Sequence, residues 1–174
     1  MTVVRREAAT QVAIAPRIDW TWRRFDDLSV HDVYALLALR AEVFVVEQAC
    51  PFLDTDFCDQ SAWHLLGRVD GELAAYLRAL DPGVRYDEPS IGRVVTASRW
   101  RGRGLGRTLM IEGIDRAGAL WPGVDVVIGA QHRLEAFYRS LGFAREGAIY
   151  DEDGIDHIRM RLAAIDTREH RETR

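Results

Sequence analysis

Two cysteines in 174 residues, Cys50 and Cys58, with no histidine or further cysteine at ligand spacing beside them, exclude a disulfide framework and give no sign of a metal site. No apolar run reaches the length a membrane helix requires, about 20 residues. The opening stretch MTVVRREAATQ also lacks the apolar core and cleavage pattern of a secretory signal. A cytoplasmic chain that uses no metal and enters no membrane is therefore expected. Basic charge is not in excess: the formal net charge is −4. A general nucleic-acid surface is thus not expected, and any cluster of arginines must be a local feature aimed at a small anion.

With 48% hydrophobic residues, the chain can form one domain burying about 70% of its unfolded surface. Residues 1–16 and 164–174 carry no sustained periodicity and read as tails, which leaves residues 17–163 as the domain. Alternating Ile18, Trp20 and Trp22 suit a half-buried strand. Ser29 with Asp32 makes a capping box ahead of a helix of 15 to 18 residues through Val33, Leu36, Leu37, Val43 and Phe44. The stretch ACPFLDTDFCDQ has no period and reads as a loop or short irregular helix. Asp70-Gly71 and Asp153-Gly154 each divide two apolar runs, the signature of a hairpin.

Between these hairpins, IGRVVTA is a strand, and a helix from about Leu105 carries Met110, Ile114, Ala117 and Trp121 on one face. VDVVIGA is a buried strand, and HRLEAFYRSLGF is a short helix ended by Gly142, with Phe143 where a Schellman motif takes an apolar contact. The order predicts an α/β fold, a mixed sheet with helices on its faces.

Four arginines and three glycines crowd RWRGRGLGR, residues 99–107, between a strand and a helix. Such a turn leaves backbone N–H groups free at a helix N-terminus, where an anion binds. Glycines at 102, 104 and 106 let it approach the main chain, and Arg101, Arg103 and Arg107 add charge. A Walker loop fails twice, at Arg101 in place of its first glycine and Arg107 in place of its lysine. A dinucleotide fingerprint fails at Arg107 or at Leu109. A turn bent for packing alone is the plain alternative.

The pattern Arg101-x-x-Gly104-x-Gly106 resembles the pyrophosphate loop of the GCN5-related N-acetyltransferases (GNAT). Gln131-x-x-Leu134-x-x-Phe137-Tyr138-x-x-Leu141-Gly142-Phe143 is similar to the family's second cofactor element, with Gln131 and Leu134 standing where that pattern has Asn and Ala. The segments from Leu39 through Val43-Phe44-Val45-Val46-Glu47-Gln48 to Cys50-Pro51, and from Tyr150 to Ile158, resemble the ElaA-type branch. The likeness runs from about residue 18 to 162. It implies a strongly twisted seven-stranded sheet, helices on both faces, and a splay between the fourth and fifth strands that holds acetyl-CoA.

From the resemblance, Val94, Val95 and Thr96 offer backbone groups to the donor, Arg101, Gly102, Arg103, Gly104, Leu105, Gly106 and Arg107 hold its diphosphate, and Gln131 and Phe137 complete the cofactor site. It also places Tyr138 beside the sulfur as general acid, a phenol whose ordinary pKa of about 10 matches a thiolate. The plain alternative is a core aromatic paired with Phe137. For the base, His64, Glu47, Glu152 and His157 all remain open, as does ordered water. Arg40, Phe44 and Glu47, four and three residues apart on one helix, are expected along the acceptor pocket, with a buried Arg40–Glu47 network as the alternative. Arg93 and His157 join them as acceptor-binding candidates, Arg93 meeting either an acidic acceptor group or a loop aspartate. Asp54, Asp56 and Asp59 read as a solvated or capping set, or as ligands for a cationic acceptor. Cys50, beside Pro51 and Phe52, reads as packing rather than as an acyl-carrying nucleophile. The expected activity is direct acetyl transfer to a primary amine of a small molecule or peptide, by a chain compatible with a homodimer. An acyl-homoserine-lactone-synthase-like acyltransferase and a non-catalytic acyl-CoA-binding module are the alternatives.

Overall fold

The computed structural model describes residues 17–164; the two expected tails lie outside them apart from Ala164. Strands β1 (Asp19–Arg24), β2 (Trp63–Val69), β3 (Glu72–Leu80), β4 (Ser90–Thr96), β5 (Val126–Gln131), β6 (Ala144–Glu152) and β7 (Ile155–Leu162) form one sheet in the order β1-β2-β3-β4-β5-β7-β6. Both Asp-Gly pairs make the hairpins their sequence predicts. Asp70 and Gly71 have φ of 52° and 81°, and Asp153 and Gly154 of 57° and 80°, the doubly left-handed type I′ turn whose twist matches the flanking strands.

Alternation along the strands gives the sheet two apolar faces, and a helix covers each. Leu65 and Leu77 face one way, onto Leu109, Met110 and Ile114 of α2 (Leu105–Leu120). Leu66 and Tyr76 face the other, onto Leu36, Leu39 and Val43 of the first helical stretch. Close approach is built into the sequence at two points on the α2 face of the sheet's first half. A Cβ at Gly113 would stand 2.5 Å from Leu77, and one at Gly67 would stand 2.4 Å from the Trp20 ring. At each position a larger residue would push apart elements whose burial drives folding.

The first helix begins as expected. Ser29 Oγ accepts the Asp32 N–H at 3.1 Å, and Asp32 accepts the Ser29 N–H at 3.2 Å, which completes the capping box. Its far end corrects the expectation of one regular helix. The α-helix α1 runs Val30–Arg40, and Ala41–Glu47 continue as a π-helix, with Gln48 N–H donating to Val43 O at 3.1 Å. Each π turn holds more residues than an α turn. The face that would have aligned Arg40 with Phe44 and Glu47 is therefore split: Arg40 turns into the core, while Phe44 and Glu47 turn to the sheet's opening.

Candidate active site

That opening lies between β4 and β5, the one parallel pair in the sheet. Ser90 pairs with Val127, and Val127 N–H donates to Pro89 O at 3.0 Å. Beyond this point the two strands share no ladder and diverge toward Thr96 and Gln131, which is the expected splay. β4 is further distorted by a bulge: between the Val95–Tyr76 and Gly92–Arg78 pairs it sets Arg93 and Val94 against Leu77 alone. Arg93 takes φ of 51°, a left-handed conformation uncommon outside glycine. A bulge leaves its extra residue outside the ladder, and here it lies next to the splay. The resulting cleft has a volume of about 410 Å³.

The cleft is lined by Val94, Val95 and Thr96 on one wall and by Gly129 and Gln131 on the other, and Tyr138, from the helix that follows β5, lines it as well. The α-helix α3 (Glu135–Arg139), preceded by a 3₁₀ turn His132–Leu134, is shorter than its pattern suggests. Its end nevertheless holds Tyr138 firmly. Gly142 has φ of 96°; its N–H donates to Arg139 O at 3.0 Å and the Phe143 N–H to Tyr138 O at 3.2 Å. The Phe143 ring meets the Tyr138 ring edge-on at 6.0 Å. These are the two hydrogen bonds and the apolar contact of a Schellman motif. Burial pushes the Tyr138 hydroxyl up to about 12, against a smaller pull downward from Arg133, so the phenol carries its proton throughout the neutral range.

The glycine loop adjoins the rim of the cleft at Arg101. Gly102 and Gly104 have φ of 74° and 79°, and a Cβ on either would meet nothing within 4 Å. Gly104 is the N-cap of α2 without a side-chain cap. Among the described residues the N–H groups of Gly104, Leu105 and Gly106 have no acceptor. An open left-handed turn with free donors at the start of a sixteen-residue helix fits a diphosphate in both shape and charge. Arg101 is occupied meanwhile: it donates to Thr96 O at 3.1 Å and to both Glu47 carboxylate oxygens at 2.6 and 2.9 Å. Arg103 lies over the Trp100 ring at 5.1 Å. Arg107 reaches Ser140 and lies 5.9 Å from the centre of the Phe137 ring, so Phe137 backs the loop rather than lining the cleft.

The opposite side of the cleft is held by a closed ring of six charges. Arg40 bonds Asp59 at 2.7 Å, and Asp59 accepts from Arg78 at 2.7 Å. Arg78 bonds Asp56 at 2.6 Å, and Asp56 accepts from Arg93 at 3.2 Å. Arg93 and Arg40 then both meet Asp54, at 2.9 and 2.7 Å. The ring clamps the loop between the π-helix and β2 onto α1, β3 and β4. Asp54, Asp56 and Asp59 are thus structural partners rather than a solvated set. Burial acts to raise Asp56 and Asp59, but hydrogen bonds and charge prevail, from Arg78 and Arg93 at Asp56 and from Arg40 and Arg78 at Asp59, and hold both below the usual carboxylate range.

Two expectations are corrected here. Arg40 is fully buried in the ring and does not line the cleft, and it pairs with Asp54 and Asp59 rather than Glu47, because the π turn separates it from Glu47. His64 is also fully buried. Its Nδ1 lies 2.8 Å from the Tyr76 hydroxyl and its Nε2 2.9 Å from Asp59 O, and burial lowers its pKa. With both ring nitrogens engaged inside the core, it reaches no acceptor.

Phe44, Glu47, Arg93, Glu152 and His157 do come together at the cleft. Glu152 is paired with Arg85 at 2.6 Å. Gln131 Nε2 donates to Gln48 at 3.0 Å and its oxygen accepts from Arg133 at 3.0 Å, a bridge from β5 to the end of the π-helix. Gln48, Arg85, Tyr86 and Arg133 line the cleft without having been singled out. Arg85 and Tyr86 belong to an aperiodic connection, and nothing in their spacing marks them. Among the described residues no group of His, Cys, Asp or Glu is placed to hold a metal, and both cysteines are free. No helix there is long and apolar enough to cross a membrane.

Residues 37–164 match the family model described as an acetyltransferase (GNAT) domain. The chain belongs to this family of acyl-CoA-dependent acyltransferases. It is 41% identical to protein ElaA of Escherichia coli (strain K12) over 150 residues, 85% of this chain and 98% of that one. A crystal structure of an acyl-CoA N-acyltransferase from Pseudomonas aeruginosa superposes with a TM-score of 0.81 at 45% identity, covering 84% of this chain and 100% of that one. The acyl-homoserine-lactone synthase LasI shares the fold alone, at 14% identity and a TM-score of 0.67, with 85% of this chain and 90% of that one covered.

Proposed function

We propose that this protein is a cytoplasmic N-acetyltransferase that moves an acetyl group from acetyl-CoA directly to a primary amine of a small molecule or peptide. The observation that carries the reading is Tyr138: its hydroxyl belongs to a cleft-lining, Schellman-fixed residue and has no protein partner among the described residues. Bound in the splay, the donor supplies an activated thioester whose sulfur leaves as a thiolate. The free N–H groups of Gly104, Leu105 and Gly106 hold its diphosphate, with Arg103 and Arg107 adding charge. Val94, Val95 and Thr96 guide it along β4 through their backbone groups. Tyr138 keeps its proton until the sulfur needs one, a duty suited to a phenol raised by burial.

Direct transfer is favoured because neither cysteine is part of a nucleophile–base pair. Cys50 Sγ donates to the Asp153 carbonyl at 3.6 Å and Cys58 Sγ to the Asp56 carbonyl at 3.6 Å, and among the described residues neither is hydrogen-bonded to a histidine. The deciding experiment is a turnover screen with acetyl-CoA over polyamines, amino acids, aminoglycosides and peptide N-termini. Amine-dependent release of free CoA thiol is expected. Tight acetyl-CoA binding with no turnover on any amine would make the protein a non-catalytic sensor. Turnover only with S-adenosylmethionine and an acyl-carrier protein would move it to the lactone-synthase reaction.

A further inference from the structure

Resting on that reading, we infer that His157 is the general base of the reaction and that it acts through Nε2. His157 sits on β7 directly opposite Gln131 of β5 and opposite Tyr150 of β6. Residues paired across strands share a face, so Gln131, His157 and Tyr150 form one row across the sheet beside the splay. The imidazole is therefore one strand spacing, about 5 Å, from the wall that carries Gln131. It lines the cleft and is half-buried. Its outer side is braced by the Tyr150 ring, tilted 31° at 6.0 Å.

The hydrogen bonding fixes which nitrogen is basic. Nδ1 lies 2.8 Å from Ile155 O. A carbonyl only accepts, so Nδ1 must carry the proton and the lone pair of the neutral ring lies on Nε2. That nitrogen has no partner among the described residues. The rival bases are less well suited: His64 spends both nitrogens in the core, Glu47 is bound bidentately by Arg101, and Glu152 gives one oxygen to Arg85. Burial acts to raise the Glu152 carboxyl, but the hydrogen bond and charge of Arg85 outweigh it and hold it below the usual range. Tyr150 of β6 stands against the ring, and the charged and titratable groups lining the same part of the cleft are Glu152 from β6, Asp153 from the turn, Arg85 and Tyr86 from the connection before β4, and Arg93 from the β4 bulge.

An acceptor arriving as an ammonium ion must lose two protons. His157 Nε2 takes the first, before the new N–C bond forms, and later returns it to water. As the amide forms and the C–S bond breaks, Tyr138 gives its proton to the sulfur, and the second nitrogen proton restores the phenol. Atoms and charges balance without any other reactant.

Two measurements on the full chain test this. Nitrogen-15 NMR of the imidazole rings, with His157 assigned by its absence in His157→Gln, is expected to show the Nδ1–H tautomer; an Nε2–H tautomer overturns the inference, whatever the protein binds. Acetyl transfer is then compared on ethylamine, protonated at pH 7, and trifluoroethylamine, neutral at pH 7. In His157→Gln the ratio of kcat/KM for ethylamine to that for trifluoroethylamine is expected to fall at least about tenfold, since only the protonated amine needs the base. Acetyl-CoA affinity by calorimetry should match the wild type. An unchanged ratio overturns the assignment of the base while leaving the acetyltransferase reading intact. A wild type that binds no acetyl-CoA removes that reading instead, and with it the reaction His157 was to serve.

Discussion

Arginines border the cleft on two sides, and the two sets are used in opposite ways. On the acceptor side Arg40, Arg78 and Arg93 alternate with three aspartates in a closed ring, and Arg40 and Arg78 are almost wholly out of contact with water. On the donor side Arg101, Arg103 and Arg107 are exposed, held by one carboxylate, an aromatic face and a serine. A charge taken out of water must be matched where it lies, so the ring is neutral within itself and has nothing to offer a ligand. A charge left at the rim costs little to hold and can change partners. Arginine in this chain thus serves two ends: the buried set builds a wall beside the cleft, and the exposed set stays able to change partners at its rim.

The comparison is broken most severely at Asp59. Asp59→Ala leaves Arg40 and Arg78 buried without their shared partner and should destabilise the fold by about 3–5 kcal/mol, read by urea unfolding. Acid probes the same region. Burial holds His64 below its ordinary range, so the unfolded chain takes up that proton first and stability should begin to fall below about pH 6.5. Asp56 and Asp59 are held low, so their contribution, full above about pH 4, should drain away as the pH drops further. A flat stability profile from neutrality to pH 3 would contradict the ring.

On the donor side, Gly106→Glu sets a carboxylate where a diphosphate would lie. Its Cβ would meet only Thr96 Oγ1, at 3.6 Å, so melting temperature should change little while acetyl-CoA affinity falls at least about a hundredfold. Equal affinity would detach the loop from the donor. Tyr138→Phe keeps the ring packing and removes the acid; kcat should fall about ten- to a hundredfold with acetyl-CoA binding unchanged. The smallest effect is the most discriminating. Glu47→Gln frees Arg101 from its carboxylate, and acetyl-CoA should bind about two- to fivefold more tightly, an advantage that shrinks in high salt. Weaker binding would show that the pair supports the loop rather than competing with the donor.

Much of this architecture was legible because it is written in local chemistry. The two Asp-Gly turns, the Ser29–Asp32 capping box and the Leu141-Gly142-Phe143 helix end all formed as their residues dictate. The seven-stranded sheet and the splay between its fourth and fifth strands stand as the family resemblance implies. Arg40 and His64 were not legible. Arg40 looked like a pocket residue because a regular helix would have aligned it with Phe44 and Glu47, and no local signal announces a π turn. His64 sits on an apolar strand, and only the fold supplies Tyr76 and the Asp59 carbonyl to engage both its nitrogens.

Residues within a few positions of one another sufficed to set the strands, the two hairpin turns, the helix starts, the glycine-rich loop and the family motifs. Only the tertiary structure decided which charges are spent on the fold and which remain for chemistry. Arg40, Arg78 and Arg93 find their aspartates 14 to 39 residues away along the chain, and His64 meets the Tyr76 hydroxyl from 12 residues away. Charge pairing acts through space, and a linear sequence records no distances through space.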